Sequence, residues 1–186
     1  HYSVRVVARA RGSVTINEYA KAPRLWAQQM RWLFGLPSII TLSPSLVHIF
    51  AKSREGLETP DLQGVFSPAS YKAGFVSMLD DYPGMTCGFW AHKPASTGYV
   101  HALSTNPIAE VKVQPNYLSV RSDLETLVSG IKLARKLVRS GPMQKYFDHE
   151  QLPGKDVQSD DELEAFAKQY GVSSWHLVGT AKMGPA

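Results

Sequence analysis

Short strand-like runs that end at turn residues, with amphipathic helices between groups of them, constrain the fold of this sequence most. The first run alternates between two faces, which are Tyr2, Val4, Val6 and Ala8 against Ser3, Arg5, Val7 and Arg9. Such alternation is typical of a strand with one buried face. Further strands are predicted at residues 13–16, 65–66, 85–92, 98–103 and 111–113.

The turns between these runs indicate how the strands are connected. Pro83 and Gly84 form a turn signal before residues 85–92, and Pro94 follows that run. We expect residues 98–103 to return as the second strand of a hairpin. Helices between groups of hairpin-connected strands predict an α+β fold with a mostly antiparallel sheet, and argue against a parallel βαβ arrangement.

The first predicted helix begins at Pro23, which suits a first-turn position because its missing N–H needs no partner there. Trp26, Met30, Leu33 and Phe34 then recur at helical spacing. We interpret this apolar stripe as a face that packs into the core.

Two later helices are predicted at residues 123–139 and 160–170, each with an apolar face. A capping box, in which two side chains satisfy free N–H groups at the helix start, is predicted for both. The pairs are Ser122 with Glu125, and Ser159 with Glu162.

Length and composition favour one globular domain and exclude several classes. The 186 residues suffice for a sizeable core, and the 44% hydrophobic and 19% charged fractions are ordinary. No apolar run reaches the roughly 18 residues that span a bilayer. The chain begins at His1 without a signal-peptide layout, so we expect an internal piece of a longer protein. The compartment stays open, with a cytoplasmic location favoured, and the oligomeric state is not predicted.

Cysteine, histidine and charge counts exclude further classes. Cys87 is the single cysteine, so neither an intramolecular disulfide nor a thiolate zinc cluster is possible. The six histidines form no HExxH motif, and no metal site is predicted. The net charge of +4 comes from dispersed Lys and Arg without a recognition motif, so no nucleic-acid partner is expected.

Familiar catalytic motifs are missing from the sequence. It contains no GxGxxG, GxxxxGK or GxSxG pattern, so this chain cannot build a Rossmann dinucleotide site, a P-loop or a nucleophile elbow. The acidic pairs at 80–81 and 160–161 lie in turn or cap contexts. We interpret them as structural and not as a glycosidase pair.

The positive signal is residues 175–185, Trp-His-Leu-Val-Gly-Thr-Ala-Lys-Met-Gly-Pro. Taken alone, a histidine such as His176 between Trp and Leu is more often structural than catalytic. Small residues after it change that interpretation, since Gly179 permits close backbone approach to a flat ring system. A general base must be neutral near pH 7 and reach the proton it removes.

This stretch resembles the His-Pro-Val-Gly-Thr-Cys-Arg-Met-Gly signature of the glucose–methanol–choline (GMC) oxidoreductases, which are FAD-dependent alcohol oxidases and dehydrogenases. Further elements in the family's order are residues 1–3, 59–63, 93–100, 106–107, 115–118 and the helix from 123. The resemblance therefore covers nearly the whole chain. Departures from the family pattern are Thr97, Leu177, Ala181 and Lys182.

The resemblance implies that residues 1–186 are a substrate-binding domain. It implies oxidation of a primary alcohol to an aldehyde by hydride transfer to flavin, with His176 as the catalytic base. FAD would be bound mainly by residues outside this chain, and a second catalytic His or Asn would lie downstream. The chain alone would be inactive. Substrate-binding residues are predicted at Trp175, Trp90 and Phe89, with core packing as the alternative for Phe89 and Trp90.

Two other functions stay open. A non-enzymatic α+β ligand-binding module would keep this fold without redox chemistry. A hydrolase would use His176 as base with Ser173 or Ser174 as nucleophile, although no elbow motif supports it.

Overall fold

Strands and helices alternate along the chain in the computed structural model, which describes residues 1–43, 45–72, 78–181 and 183. The strands are Tyr2–Ala10 (β1), Val47–Ala51 (β2), Leu62–Ser67 (β3), Gly84–Ala91 (β4), Tyr99–Ala102 (β5), Val111–Gln114 (β6), Phe147–Leu152 (β7) and Val172–Ser173 (β8). The helices are Ile16–Tyr19 (α1), Arg24–Leu33 (α2), Arg121–Val138 (α3), Gly141–Gln144 (α4) and Asp160–Tyr170 (α5), with a 3-10 turn at Ile39–Thr41.

The main sheet has the order β2-β3-β4-β1-β7, and β8 pairs with the start of β1. Every pair is antiparallel, which confirms the predicted α+β class. The predicted hairpin between residues 85–92 and 98–103 is wrong, because β5 pairs with β6 in a separate two-stranded sheet. Both edges of β4 are already occupied, since Phe89 lies opposite Val4 of β1 and Gly64 of β3.

The core lies between one face of the main sheet and helices α3 and α5. Alternate residues of β1, such as Val4 and Val6, point into it together with Phe89 of β4. Helix α3 approaches the sheet closely at Gly130, where a Cβ atom would lie only 2.9 Å from the Cβ of Phe89. The amphipathic pattern predicted for residues 123–139 therefore packs as expected.

A buried ion pair joins α3 to β7. Arg135 Nη2 donates to Glu150 Oε1 at 2.7 Å and to the carbonyl oxygen of Val157 at 2.7 Å. The Glu150 side chain is 2% exposed. Further hydrogen bonds to the carboxylate, including one from the Gly154 amide, balance the cost of burying the charge. Strand β7 was not predicted, because its sequence does not alternate between polar and apolar residues.

Two predictions near helix starts are wrong and one is confirmed. Residues 13–16 form no strand, because Thr15 is the N-cap of α1 and its amide donates to the carboxylate of Glu18 at 2.9 Å. The box predicted from Ser122 is also wrong, since α3 begins earlier, with Val120 as its N-cap. The box of Ser159 and Glu162 is confirmed: each side chain bonds the backbone amide of the other residue.

The apolar stripe of α2 lies on the outside of the described structure. Trp26 is 64% exposed, Phe34 is 73% exposed, and Met30 and Leu33 are also exposed. The predicted core role of this stripe is therefore wrong. Helix α2 packs against the short helix α1 and the 3-10 turn, and it stands apart from the main core. Within the described ranges, no helix has the length and apolar character needed to cross a bilayer.

Candidate active site

The face of the main sheet that points away from α3 lines a cavity of about 400 Å³. Because strand residues alternate between faces, the residues between the core positions point here. They include Ser3 and Arg5 from β1, and Gly88 and Trp90 from β4. His48 of β2 adds to this wall, and residues 172–176 form another part of the lining.

Local backbone structure places His176 at this cavity. Strand β8 pairs with the start of β1, so that Ser173 lies opposite Tyr2, and the Ser174 amide donates to the carbonyl oxygen of His1 at 2.9 Å. Trp175 then takes a left-handed backbone conformation with φ of 59°. The chain turns there, and the rings of His176 and Trp90 lie 5.7 Å apart between centroids.

The His176 ring has one polar side-chain contact in the described structure. Its Nδ1 atom lies 2.8 Å from Nδ1 of His1. Partial burial lowers the pKa of His176 below its usual 6.5. Burial therefore favours the neutral ring, which is the protonation state at pH 7 that a general base requires.

A set of backbone contacts fixes the loop that carries His176. The Gly98 amide donates to the carbonyl oxygen of Gly179 at 3.0 Å. The segment before Gly98 is held in turn by Asp123 of α3, whose carboxylate accepts from the amides of Ala95 at 2.7 Å and Ser96 at 2.9 Å. Gly98 has no room for a side chain, because a Cβ atom would lie 2.0 Å from the carbonyl oxygen of Gln114. Residues 93–100 and 175–181, which belong to two separate sequence elements, therefore meet.

Three of the four predicted site residues come together. Trp90, Trp175 and His176 all line the cavity, and Trp175 is 79% exposed. Phe89 does not join them: it is 1% exposed and packs in the core beneath α3, as the alternative interpretation held. Residues 182, 184 and 185 of the predicted motif lie outside the described part of the chain.

Several cavity residues were not predicted as site residues. Arg5, His48 and Tyr71 line the wall, and burial lowers the pKa of Arg5 even though Asp80 nearby raises it. A signal for Arg5 was available, because it stands on the polar side of the alternation in β1. Among the lining residues that the structure describes, there is no Asp or Glu.

Ser173, one of the two candidate nucleophiles of the hydrolase alternative beside Ser174, is engaged elsewhere. The Ser173 hydroxyl lies 2.8 Å from the hydroxyl of Tyr117 and accepts from the Trp175 amide at 3.2 Å. A serine nucleophile needs its hydroxyl hydrogen-bonded to the base. These contacts direct Ser173 to Tyr117, so they give the hydrolase alternative no support. The described residues also contain no cluster of three or more side chains suited to a metal ion.

Comparison with known proteins assigns the family. The chain belongs to the GMC oxidoreductases, whose C-terminal family model matches residues 94–186, half of the sequence. This confirms the resemblance seen in the motif elements.

Individual relatives agree with this assignment. An alcohol dehydrogenase [acceptor] of Pseudomonas putida is 29% identical over 185 residues, which are 99% of this chain and 33% of the relative. An oxygen-dependent choline dehydrogenase of Chromohalobacter salexigens is 32% identical over 139 residues, 73% of this chain and 24% of the relative. A formate oxidase of Aspergillus oryzae, which carries FAD, superposes with a TM-score of 0.79 at 14% identity, covering 95% of this chain and 35% of the oxidase. The chain thus spans about a third or less of each relative.

Proposed function

We propose that this chain is the substrate-binding part of an FAD-dependent oxidoreductase that oxidises a primary alcohol to an aldehyde, with His176 as general base. The observation that carries the proposal is the position of His176. Its ring lines the cavity on the sheet face that points away from α3, beside Trp90, and partial burial lowers its pKa. Membership in the GMC family supports the reaction class.

The chain's own part in the reaction is to position the alcohol and to remove a proton. The cavity would hold the substrate with its hydroxyl group near a ring nitrogen of His176. That nitrogen accepts the hydroxyl proton, which raises the electron density on the carbinol carbon and favours loss of its hydrogen as hydride. Bound FAD would supply the hydride acceptor. The tether through Gly98 and Gly179 keeps the base in place while the proton moves.

The described residues fit a flavin as a facing surface and not as a complete binding site. The loop that carries His176 exposes the apolar side chains of Trp175, Leu177 and Val178, which suit contact with a flat ring. The sequence has no glycine-rich motif for the diphosphate of a dinucleotide. We therefore propose that FAD is held mainly by residues outside this chain, and that the 186-residue chain alone is inactive. Tight binding of FAD by the isolated chain would contradict this.

The cavity lining favours an aryl or alkyl alcohol over choline. Trp90 and Trp175 offer aromatic surface, while Arg5 places a positive charge in the wall. A quaternary ammonium ion is recognised by aromatic faces and by negative charge. The described lining has no carboxylate that would pair with such a cation.

The test is anaerobic reduction of the flavin in the longer flavoprotein by a panel of primary alcohols. We expect benzyl or alkyl alcohols to bleach the flavin, and His176→Ala to slow this by about a hundredfold or more, the loss typical of a general base. His149→Ala is the matched control, because His149 is exposed on β7, away from the cavity. An unimpaired His176→Ala enzyme would sink the proposed role. A purified protein without flavin would favour the ligand-binding module.

A further inference from the structure

The side chain of His1 lies between the backbone just after β4 and the ring of His176, and it forms a hydrogen bond to each. His1 Nε2 lies 3.1 Å from the carbonyl oxygen of His92, just after β4. On the other side of the same ring, His1 Nδ1 lies 2.8 Å from His176 Nδ1. The two rings meet edge to face, with centroids 5.0 Å apart and planes at 64°.

The carbonyl oxygen determines the direction of both hydrogen bonds. A carbonyl oxygen only accepts, so His1 Nε2 must carry the proton and donate to His92. A neutral imidazole has one protonated nitrogen, which leaves His1 Nδ1 as an acceptor. The short contact between the Nδ1 atoms then requires His176 Nδ1 to be the donor. His176 Nε2 is consequently left without a proton.

We propose that His1 is a positioning residue that holds His176 in the Nδ1–H tautomer, so that Nε2 is the nitrogen that accepts the substrate's proton. The consequence for catalysis rests on the proposed role of His176 as base, whereas the tautomer itself rests only on the hydrogen bonds. A histidine base whose second nitrogen is held by a partner keeps both its tautomer and its ring orientation.

The alternative assignment of protons to the His1 ring makes a different prediction. If the His1 ring carried two protons, both of its nitrogens would donate, and His176 Nδ1 would be the acceptor. Neutral His176 would then carry its proton on Nε2 and could not act as base through that atom. The two assignments therefore place the His176 proton on different nitrogens, Nδ1 or Nε2, and this difference can be measured.

The experiment uses the longer flavoprotein labelled with ¹⁵N-histidine. In the wild type, ring ¹⁵N shifts should show His176 protonated at Nδ1 and His1 protonated at Nε2. His1→Phe keeps an aromatic ring of similar size but removes the acceptor, whereas the side-chain oxygen of His1→Asn can still accept a bond near the Nδ1 position. We expect His1→Phe to mix the His176 tautomers and to slow flavin reduction by about 10- to 100-fold, the range typical when the hydrogen-bond partner of a metal-bound histidine is lost. His1→Asn should recover most of that rate.

The controls separate this proposal from the function it rests on. His149→Phe should change neither the His176 shifts nor the rate. Wild-type protein with His176 protonated at Nε2 would overturn the proposal, as would an unchanged tautomer and rate in His1→Phe. The wild-type spectrum decides even if His1→Phe does not fold. If His176→Ala reduces flavin normally while His1→Phe still shifts the His176 tautomer, the proposed function fails and the positioning role of His1 stands.

Discussion

The two faces of the main sheet differ in what covers them. The face toward α3 and α5 is closed by buried apolar side chains such as Val6, Phe89 and Leu127. The opposite face mixes Arg5, His48 and Trp90 around a cavity. The closed face stabilises the fold through apolar burial and close packing. The open face keeps space and polar groups that a fully packed core would exclude.

Strand β4 shows the difference within two neighbouring residues. Phe89 and Trp90 are both large, aromatic and buried, with exposures of 1% and 9%. Because adjacent strand residues point to opposite faces, Phe89 packs beneath Gly130 of α3, while Trp90 lies beside His176. Residue type therefore says little here about role, and the side of the strand decides it.

The largest expected effect is on the closed face. Phe89→Ala should lower the free energy of unfolding by about 3–5 kcal/mol, because it removes a fully buried ring and leaves a cavity. Urea denaturation of the 186-residue chain, followed by far-UV circular dichroism, measures this. Phe89→Leu is the milder comparison, with a loss of about 1.5 kcal/mol or less if the core repacks. A loss under about 1 kcal/mol for Phe89→Ala would contradict the closed-face role.

A smaller effect is expected on the open face. Trp90→Phe keeps an aromatic residue in the strand, so it should lower the free energy of unfolding by less than Phe89→Ala does. Loss of part of its aromatic surface beside His176 should weaken binding of an aryl alcohol by about three- to tenfold, roughly 0.5–1.5 kcal/mol. The KM of the longer flavoprotein for benzyl alcohol against ethanol tests this. Equal changes for both alcohols would remove Trp90 from aryl recognition.

The smallest effect is a pH dependence centred on His176. Burial lowers the pKa of His176 below 6.5 in the folded chain. The unfolded chain therefore binds the proton more readily, so this group's contribution is complete above about pH 6.5 and is lost as pH falls through the lowered pKa. Urea midpoints at pH 7.5 and pH 5 for wild type and His176→Gln measure the difference. A wild-type chain with the same pH dependence as His176→Gln would refute the shift.

The closed face could be predicted from the sequence in large part. Alternation in β1 and the apolar stripe of residues 123–139 identified the two surfaces that pack together. The box of Ser159 and Glu162 located the start of α5. These signals are local, and each depends on residues that are close in the chain.

The errors arose where long-range contacts decide the structure. The stripe of α2 has the same periodicity whether or not another surface covers it, and periodicity alone cannot tell these cases apart. Strand β7 carries Glu150 in a buried position, because Glu150 pairs with Arg135, a partner 15 residues away on another element. The pairing of β5 with β6 followed from the occupied edges of β4, which no local pattern reports.

The candidate site was accessible to sequence reasoning only through a motif. His176 was identified because its neighbours resemble a family signature, and the structure brings it beside Trp90. Arg5, His48 and Tyr71 carry no motif, and their shared position depends on the register of strands β1 to β4 and on a loop. The His1 contact joins residues 175 positions apart, which no spacing rule anticipates.

Hydrogen bonds link the start of α3 to the loop of His176, by way of Asp123, the Ala95–Gly98 segment and Gly179. This link affects how inactive variants are interpreted. The carboxylate at the start of α3 sets where that segment lies, and the segment in turn holds the loop of His176. A substitution that frays this first helical turn would therefore displace the base while touching neither alcohol nor flavin. In an activity screen such variants would lose activity like variants of catalytic residues, although the substituted residue has only a structural role.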